Sequence, residues 1–109
     1  IVNRNNKVEE NKTMEFEGLK IDLDGRVVFV DDEMIDLTPK EYDLLVYMVK
    51  NKNIALSRDK LLNQVWGYDF YGEDRTVDTH IKMLRNSIKE YRKFIITVRG
   101  VGYKFDTRN

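Results

Sequence analysis

Residues Arg75 to Phe105 read RTVDTHIKMLRNSIKEYRKFIITVRGVGYKF, and the fold turns on this stretch. Val77, Ile81, Leu84 and Ile88 recur at i, i+4, i+7 and i+11, which stacks them in one narrow sector of a 3.6-residue helix. At 100° per residue, Arg75, Thr79, Lys82, Met83, Asn86 and Lys89 turn the other way. That face is long, exposed and cationic, and its side chains can touch base edges or phosphates. Beyond the helix, Phe94 to Val98 reads as a strand, Arg99-Gly100-Val101-Gly102 as a tight turn and Tyr103 to Phe105 as a returning strand. An amphipathic basic helix ahead of a glycine-pinched hairpin points to a reader of DNA.

The formal net charge of zero conceals how the charge is arranged. Residues 1–37 hold 5 Lys/Arg against 10 Asp/Glu, residues 38–109 hold 14 against 9, and residues 75–109 alone hold 9 against 3. Opposite ends thus carry opposite sign, and the basic end coincides with the helix and hairpin. The plainer alternative, that these cations merely solvate an exposed face, does not explain that coincidence.

Working towards the N-terminus, Ser57 can cap a second helix, with Leu61, Leu62, Val65 and Trp66 on its inner side and Gly67 as its stop. Before it, Thr38-Pro39-Lys40-Glu41 spells a capping box with proline in the first turn. Tyr42, Leu45, Met48 and Val49 give that first helix a buried face up to about Lys50. Glycines punctuate the aromatic loop Gly67 to Asp74, and Asp74 reads as a cap for the third helix. From about Met14 to Leu37 the signals are of short strands. Leu19, Ile21 and Leu23 alternate with polar residues, Asp24-Gly25 marks a hairpin turn, Arg26 to Val30 is β-branched and apolar, and Asp31-Asp32 marks another turn before Met34-Ile35. Residues 1–13 are polar and Asn-rich and read as an interdomain linker or tail; the first residue, Ile1, suggests a piece of a longer polypeptide.

Strands, three helices and a hairpin, in that order, make an α+β winged helix-turn-helix over residues 14–109. In that architecture the third helix enters the major groove and the hairpin wing lies over a neighbouring minor groove. The glycines of the wing permit the turn and a close approach by backbone and by Arg99.

Several motifs, in order and at this spacing, then resemble a known family. They are Leu37-Thr38-Pro39-Lys40-Glu41-Tyr42-Asp43-Leu44-Leu45, Ser57-Arg58-Asp59-Lys60-Leu61-Leu62, Val65-Trp66-Gly67, Arg75-Thr76-Val77-Asp78-Thr79-His80-Ile81, Leu84-Arg85 and Thr97-Val98-Arg99-Gly100-Val101-Gly102-Tyr103. The chain resembles the C-terminal effector domains of OmpR/PhoB-type two-component response regulators, over about residues 14–107. The resemblance implies a four-stranded N-terminal sheet, a trihelical core and transcriptional control at direct-repeat promoter sites, with a second copy bound beside the first. It also implies an N-terminal receiver domain, absent from this chain, that a sensor histidine kinase phosphorylates, and a cytoplasmic location. By position, Arg75, Lys82, Thr97, Tyr103 and Trp66 would contact backbone phosphates. Asp78, Met83 and Arg85 would lie nearest bases, and Arg99 would reach the minor groove. Arg58, Thr76 and His80 complete the expected DNA-facing set. By the same resemblance, the loop Tyr68, Asp69, Phe70, Tyr71 and Glu73 would correspond to the segment that contacts RNA polymerase or tunes activation in this family. Many relatives carry a basic residue where Met83 stands, so their target sequence does not transfer.

Other functions find less support. With no cysteine, one histidine, no glycine-rich phosphate loop and no paired acids in an apolar setting, neither catalysis nor a cofactor or metal is expected. No apolar run approaches the roughly 20 residues of a membrane span, and no signal peptide opens the chain. Asp31-Asp32 reads as turn chemistry rather than a phosphorylation pocket, and His80 as packing or a phosphate contact rather than a ligand. A winged helix that binds only protein would show an apolar or acidic third-helix face, which this one lacks.

Overall fold

The computed structural model describes residues 13–67 and 73–108, and divides after Asp36 into two compact units. The first is a four-stranded antiparallel meander: β1 (Thr13–Phe16), β2 (Leu19–Asp22), β3 (Val27–Val30) and β4 (Glu33–Ile35). Register explains its buried side. Leu19 pairs with Val30 and Ile21 with Val28, which sets these four buried residues on one face. The turns follow the expected chemistry. Asp22 accepts from the amides of Asp24 and Gly25 through Oδ1 at 3.1 and 3.2 Å. Asp31 and Asp32 adopt φ of 53° and 70°, the left-handed pair that a two-residue hairpin needs and that aspartate tolerates.

The second unit begins with α1 (Pro39–Lys50). Thr38 Oγ1 accepts from the Glu41 amide at 3.2 Å, while Glu41 Oε1 accepts from the Thr38 amide at 2.9 Å, so the capping box closes in both directions. Tyr42, Leu44, Leu45, Met48 and Val49 are buried along its inner side. After it come β5 (Leu56–Ser57), α2 (Arg58–Leu61) with a π turn over Leu62–Trp66, and α3 (Asp74–Ser87). A 3-10 turn at Lys89–Phe94 leads to β6 (Ile95–Val98) and β7 (Gly102–Phe105). Ser57 caps α2 by accepting from the Lys60 amide at 3.0 Å, and Gly67 ends the π turn at φ 104°.

Helix α3 packs against α1 and α2 through Val77, Ile81 and Leu84, and Ile88 is buried directly beyond its end. Burying each of these side chains contributes roughly 1.5–3 kcal/mol. The helix stops sooner than its apolar spacing predicted: Ile88 ends it and Lys89 has φ 56°. Lys89 therefore leaves the helical face on which the periodicity had placed it. At the other end Asp74 is the first helical residue rather than the cap, and Glu73 occupies the cap position without a side-chain cap bond. Phe94, read as the first residue of a strand, belongs to the 3-10 turn and is buried against Phe105.

The hairpin is also more than a hairpin. Strand β5 joins it to make a three-stranded sheet in the order β5-β7-β6, in which Gly102 pairs with both Ser57 and Val98. A Cβ at Gly102 would stand 2.2 Å from the Leu56 carbonyl oxygen, so this glycine exists for the approach of two backbones. Gly100 serves the turn instead, at φ 78°, where the Val101 amide donates to the Val98 carbonyl at 3.0 Å. The two glycines, expected to act alike, have different duties. Gly102→Ala should cost about 2–3 kcal/mol by overpacking, and Gly100→Ala about 1 kcal/mol through its positive φ. Urea unfolding checks the order, and a milder loss at Gly102 than at Gly100 would contradict it.

Candidate nucleic-acid interface

The exposed side of α3 presents Arg75, Thr79, Lys82, Met83 and Asn86. Met83 is 39% exposed, on a helix whose other large apolar side chains are buried. Arg99, Gly100 and Val101 form an exposed hairpin tip. Arg75 forms a surface ion pair with Glu73, Nε to Oε1 at 3.4 Å, with both side chains largely exposed. Such a pair contributes little to stability and yields readily to a stronger anion. Of the loop expected to meet polymerase, Glu73 is exposed, and Tyr68, Asp69, Phe70 and Tyr71 lie outside the described residues.

Other expected contacts are bonded to one another at a partly exposed surface. Oδ1 of Asp78 on α3 accepts from Tyr103 Oη of β7 at 2.5 Å and from Arg58 Nε of α2 at 2.8 Å. Arg85, further along α3, donates to the Ile95 carbonyl through Nε at 3.2 Å and Nη2 at 2.9 Å, and to Thr97 Oγ1 through Nη2 at 3.0 Å. The Tyr103 ring is buried and lies under both guanidinium groups, Arg58 at 5.9 Å and Arg85 at 5.6 Å. A phenol has one proton to give, and Tyr103 gives it to Asp78, so in this arrangement it has none for a phosphate. Burial opposes ionisation of Asp78, but the hydrogen bonds from Tyr103 and Arg58 outweigh it and hold the carboxyl below the usual carboxylate range. Burial first, and then the bond to Asp78, push the Tyr103 phenol up. The Arg58 guanidinium is raised further by its bond to Asp78.

A second cluster forms around Trp66, which is partly buried. The His80 ring stands edge-on to its indole at a centroid distance of 4.9 Å, and the Lys40 ammonium lies 5.9 Å from the same ring. Lys40 Nζ also donates to the Val65 carbonyl at 3.0 Å, a cation satisfying the end of the π turn. His80 Nδ1 lies 2.9 Å from the Thr76 carbonyl. A carbonyl only accepts, so Nδ1 carries the proton, and His80 is held in the cluster by packing and this bond. The sequence places Lys40 only within the Thr38–Glu41 box, because its partner stands 25 positions away and no local pattern connects them.

Fold and site together define a winged-helix DNA-reader class, and comparison with known proteins makes the family definite. Residues 32–105 match the family described as transcriptional regulatory protein, C terminal. The chain belongs to this family, the winged-helix C-terminal domains of OmpR/PhoB-type response regulators. It is 47% identical over 100 residues to the transcriptional regulatory protein SrrA of Staphylococcus aureus, covering 88% of this chain and 42% of that protein. The chain thus spans less than half the length of that relative. The response regulator DrrB of Thermotoga maritima, an OmpR/PhoB homologue, superposes with a TM-score of 0.81 at 34% identity, over 96% of this chain and 49% of that one. The RstA DNA-binding domain of Klebsiella pneumoniae, solved in complex with the RstA box, gives 0.78 at 32% identity, over 88% and 98% of the two chains.

The Asp78 carboxyl, lowered on folding, stabilises the fold fully above its unfolded value near about 3.9, and that stability is lost as pH falls through the lowered folded value. Tyr103, raised on folding, acts at the opposite limit, stabilising below about pH 10 and losing effect above it. Between these limits the network does not titrate. Urea midpoints followed from pH 7 down to about pH 2.5 should fall more steeply for the unmodified chain than for Asp78→Asn. Parallel curves would show that Asp78 ionisation contributes nothing to the fold.

Proposed function

We propose that this chain is the DNA-binding output domain of a response regulator, with α3 in the major groove and the hairpin tip over an adjacent minor groove. The observation that carries the reading is the coincidence of a cationic, polar α3 face with an exposed arginine on a glycine turn, within a family of transcriptional regulators. The RstA domain, solved on its DNA box, supports it by likeness. Arg75 and Lys82 would neutralise phosphates, Met83 and Asn86 would lie towards base edges, and Arg99 would enter the minor groove, where A·T-rich sequence concentrates negative potential. Thr79 and Trp66 would flank the phosphate track, with Thr76 and His80 beside them. Two copies would occupy direct repeats, and the loop ending at Glu73 would meet RNA polymerase. A receiver domain in the longer protein would answer to a sensor histidine kinase, in the cytoplasm. The chain serves no catalytic role in this reading.

The deciding experiment is a titration of promoter-like and random duplexes at several salt concentrations. With roughly four to six phosphate contacts, log K should fall against log salt with a slope near about −4 to −5. Lys82→Ala should weaken binding to every duplex alike and flatten the slope by about one. A slope near zero for the unmodified domain would defeat the reading.

Met83 offers an apolar thioether and no strong hydrogen bond, so its natural partner in the groove is a thymine methyl group. Replacing the contacted thymine by deoxyuridine should cost the unmodified domain about 1 kcal/mol and cost the Met83→Ala variant almost nothing. Equal costs at every position would leave Met83 covering the sugar-phosphate edge instead.

A further inference from the structure

Four residues that the family resemblance places against DNA are joined to one another in this structure, and their joints fall at informative places. Asp78 and Arg85 stand seven residues apart on α3, about 10 Å along its axis at 1.5 Å per residue. Asp78 reaches β7 through Tyr103, whereas Arg85 reaches β6 through the Ile95 carbonyl and Thr97. One tether between a helix and a hairpin leaves a hinge. Two, on neighbouring strands and two helical turns apart, restrain rotation as well as distance. Tyr103 unites them, since its ring lies beneath both arginines and its cross-strand neighbours are Thr97 on one side and Leu56 on the other. Arg58 holds the same Asp78 oxygen from the start of α2, which fixes the carboxylate against the β5 edge of the sheet as well.

We propose that Tyr103, Asp78, Arg58 and Arg85 are positioning residues that lock α3 to the wing at a set distance and angle, so that the major-groove and minor-groove contacts are made together. The inference rests on the DNA-binding reading and assigns these four to a different duty within it. The single Tyr103 proton is committed to Asp78, and Arg85 Nε and Nη2 to Ile95 and Thr97, so these donors serve the scaffold. Arg75, Lys82, Met83 and Asn86 on α3 and Arg99 on the wing are then among the groups left to meet DNA, and the latch aligns the first four with the fifth.

Two measurements test it. The first uses the free domain, comparing backbone residual dipolar couplings of Asp74–Ser87 with those of Ile95–Phe105 in the unmodified chain, Tyr103→Phe, Asp78→Asn and the double variant Tyr103→Phe/Arg85→Gln. Tyr103→Phe keeps the ring and its packing and removes only the proton given to Asp78. Loosening should be slight in the single variants and larger than their sum in the double one, concentrated at Arg99 to Val101. The second is a double-mutant cycle between Tyr103→Phe and Arg99→Ala on duplexes with A·T or G·C flanks. The preference for A·T flanks that Arg99 confers should fall about fivefold in Tyr103→Phe, because the arginine no longer arrives in register. A purely structural role would lower the melting temperature and leave that preference intact. Strictly additive losses, or an unchanged hairpin orientation in the double variant, overturn the proposal. An unmodified domain that binds no duplex defeats the DNA reading, and the couplings of the free domain then decide the latch alone.

Discussion

Oδ1 of Asp78 receives the Tyr103 hydroxyl and the Arg58 guanidinium at once, and the geometry of the second unit depends on that shared acceptor. Through it the third helix, the second helix and the last strand meet at one atom. The Gly102 backbone, lying against the Leu56 carbonyl, supplies the other constraint. It lets β7 approach β5 closely enough for Tyr103 to emerge beneath the helix. Arg85 adds a second, separate tether from α3 to β6, so the separation of helix and hairpin is held at two places. Charge-assisted hydrogen bonds are shorter and about twice as strong as neutral ones, which suits an element that must hold geometry at a partly exposed surface.

This arrangement bears on how a small domain distributes its polar residues. A reader of DNA needs cations that are free to meet phosphates and others that are committed to the scaffold. Arginine suits the second task here, because its planar fork can bind a carboxylate, a carbonyl and a hydroxyl in fixed directions while stacking on an aromatic ring. Arg58 and Arg85 do so. Lysine, a flexible point charge, stands on the exposed face at Lys82, where exact geometry matters less than charge. The overall neutrality of the chain is compatible with this division, since the acidic excess belongs to residues 1–37 and the basic excess to residues 75–109.

Much of this was legible in the sequence wherever the information is local. Periodicity gave the buried stripe of α3, the Thr38 to Glu41 box gave the start of α1, and Asp31-Asp32 gave a turn, because each rests on neighbours a few positions apart. The places where the reading fell short are non-local. Two-residue β5 has no pattern of its own and exists only by pairing with β7. The end of α3 at Ser87 and the 3-10 turn at Lys89–Phe94 accompany the burial of Ile88, Tyr91 and Phe94, and the π turn at Leu62–Trp66 has no local pattern that announces it. For the site, exposure of Arg75, Lys82, Met83 and Arg99 followed from helical phase and turn chemistry. That Asp78, Arg85 and Tyr103 face one another could not, because their partners lie 10 to 25 residues distant and position in a motif does not reveal which way a side chain is bonded.

The claim at the centre is that one rigid surface touches both grooves of the same duplex. Dimethyl sulfate interference tests it in a single experiment, since the reagent methylates guanine N7 in the major groove and adenine N3 in the minor groove. On a duplex selected by the domain from a random pool, methylation should block binding at guanines facing α3 and, separately, at adenines in the adjoining minor groove. Arg99→Ala should abolish only the adenine signal. Interference confined to one groove, or an adenine signal that survives without Arg99, would contradict the account.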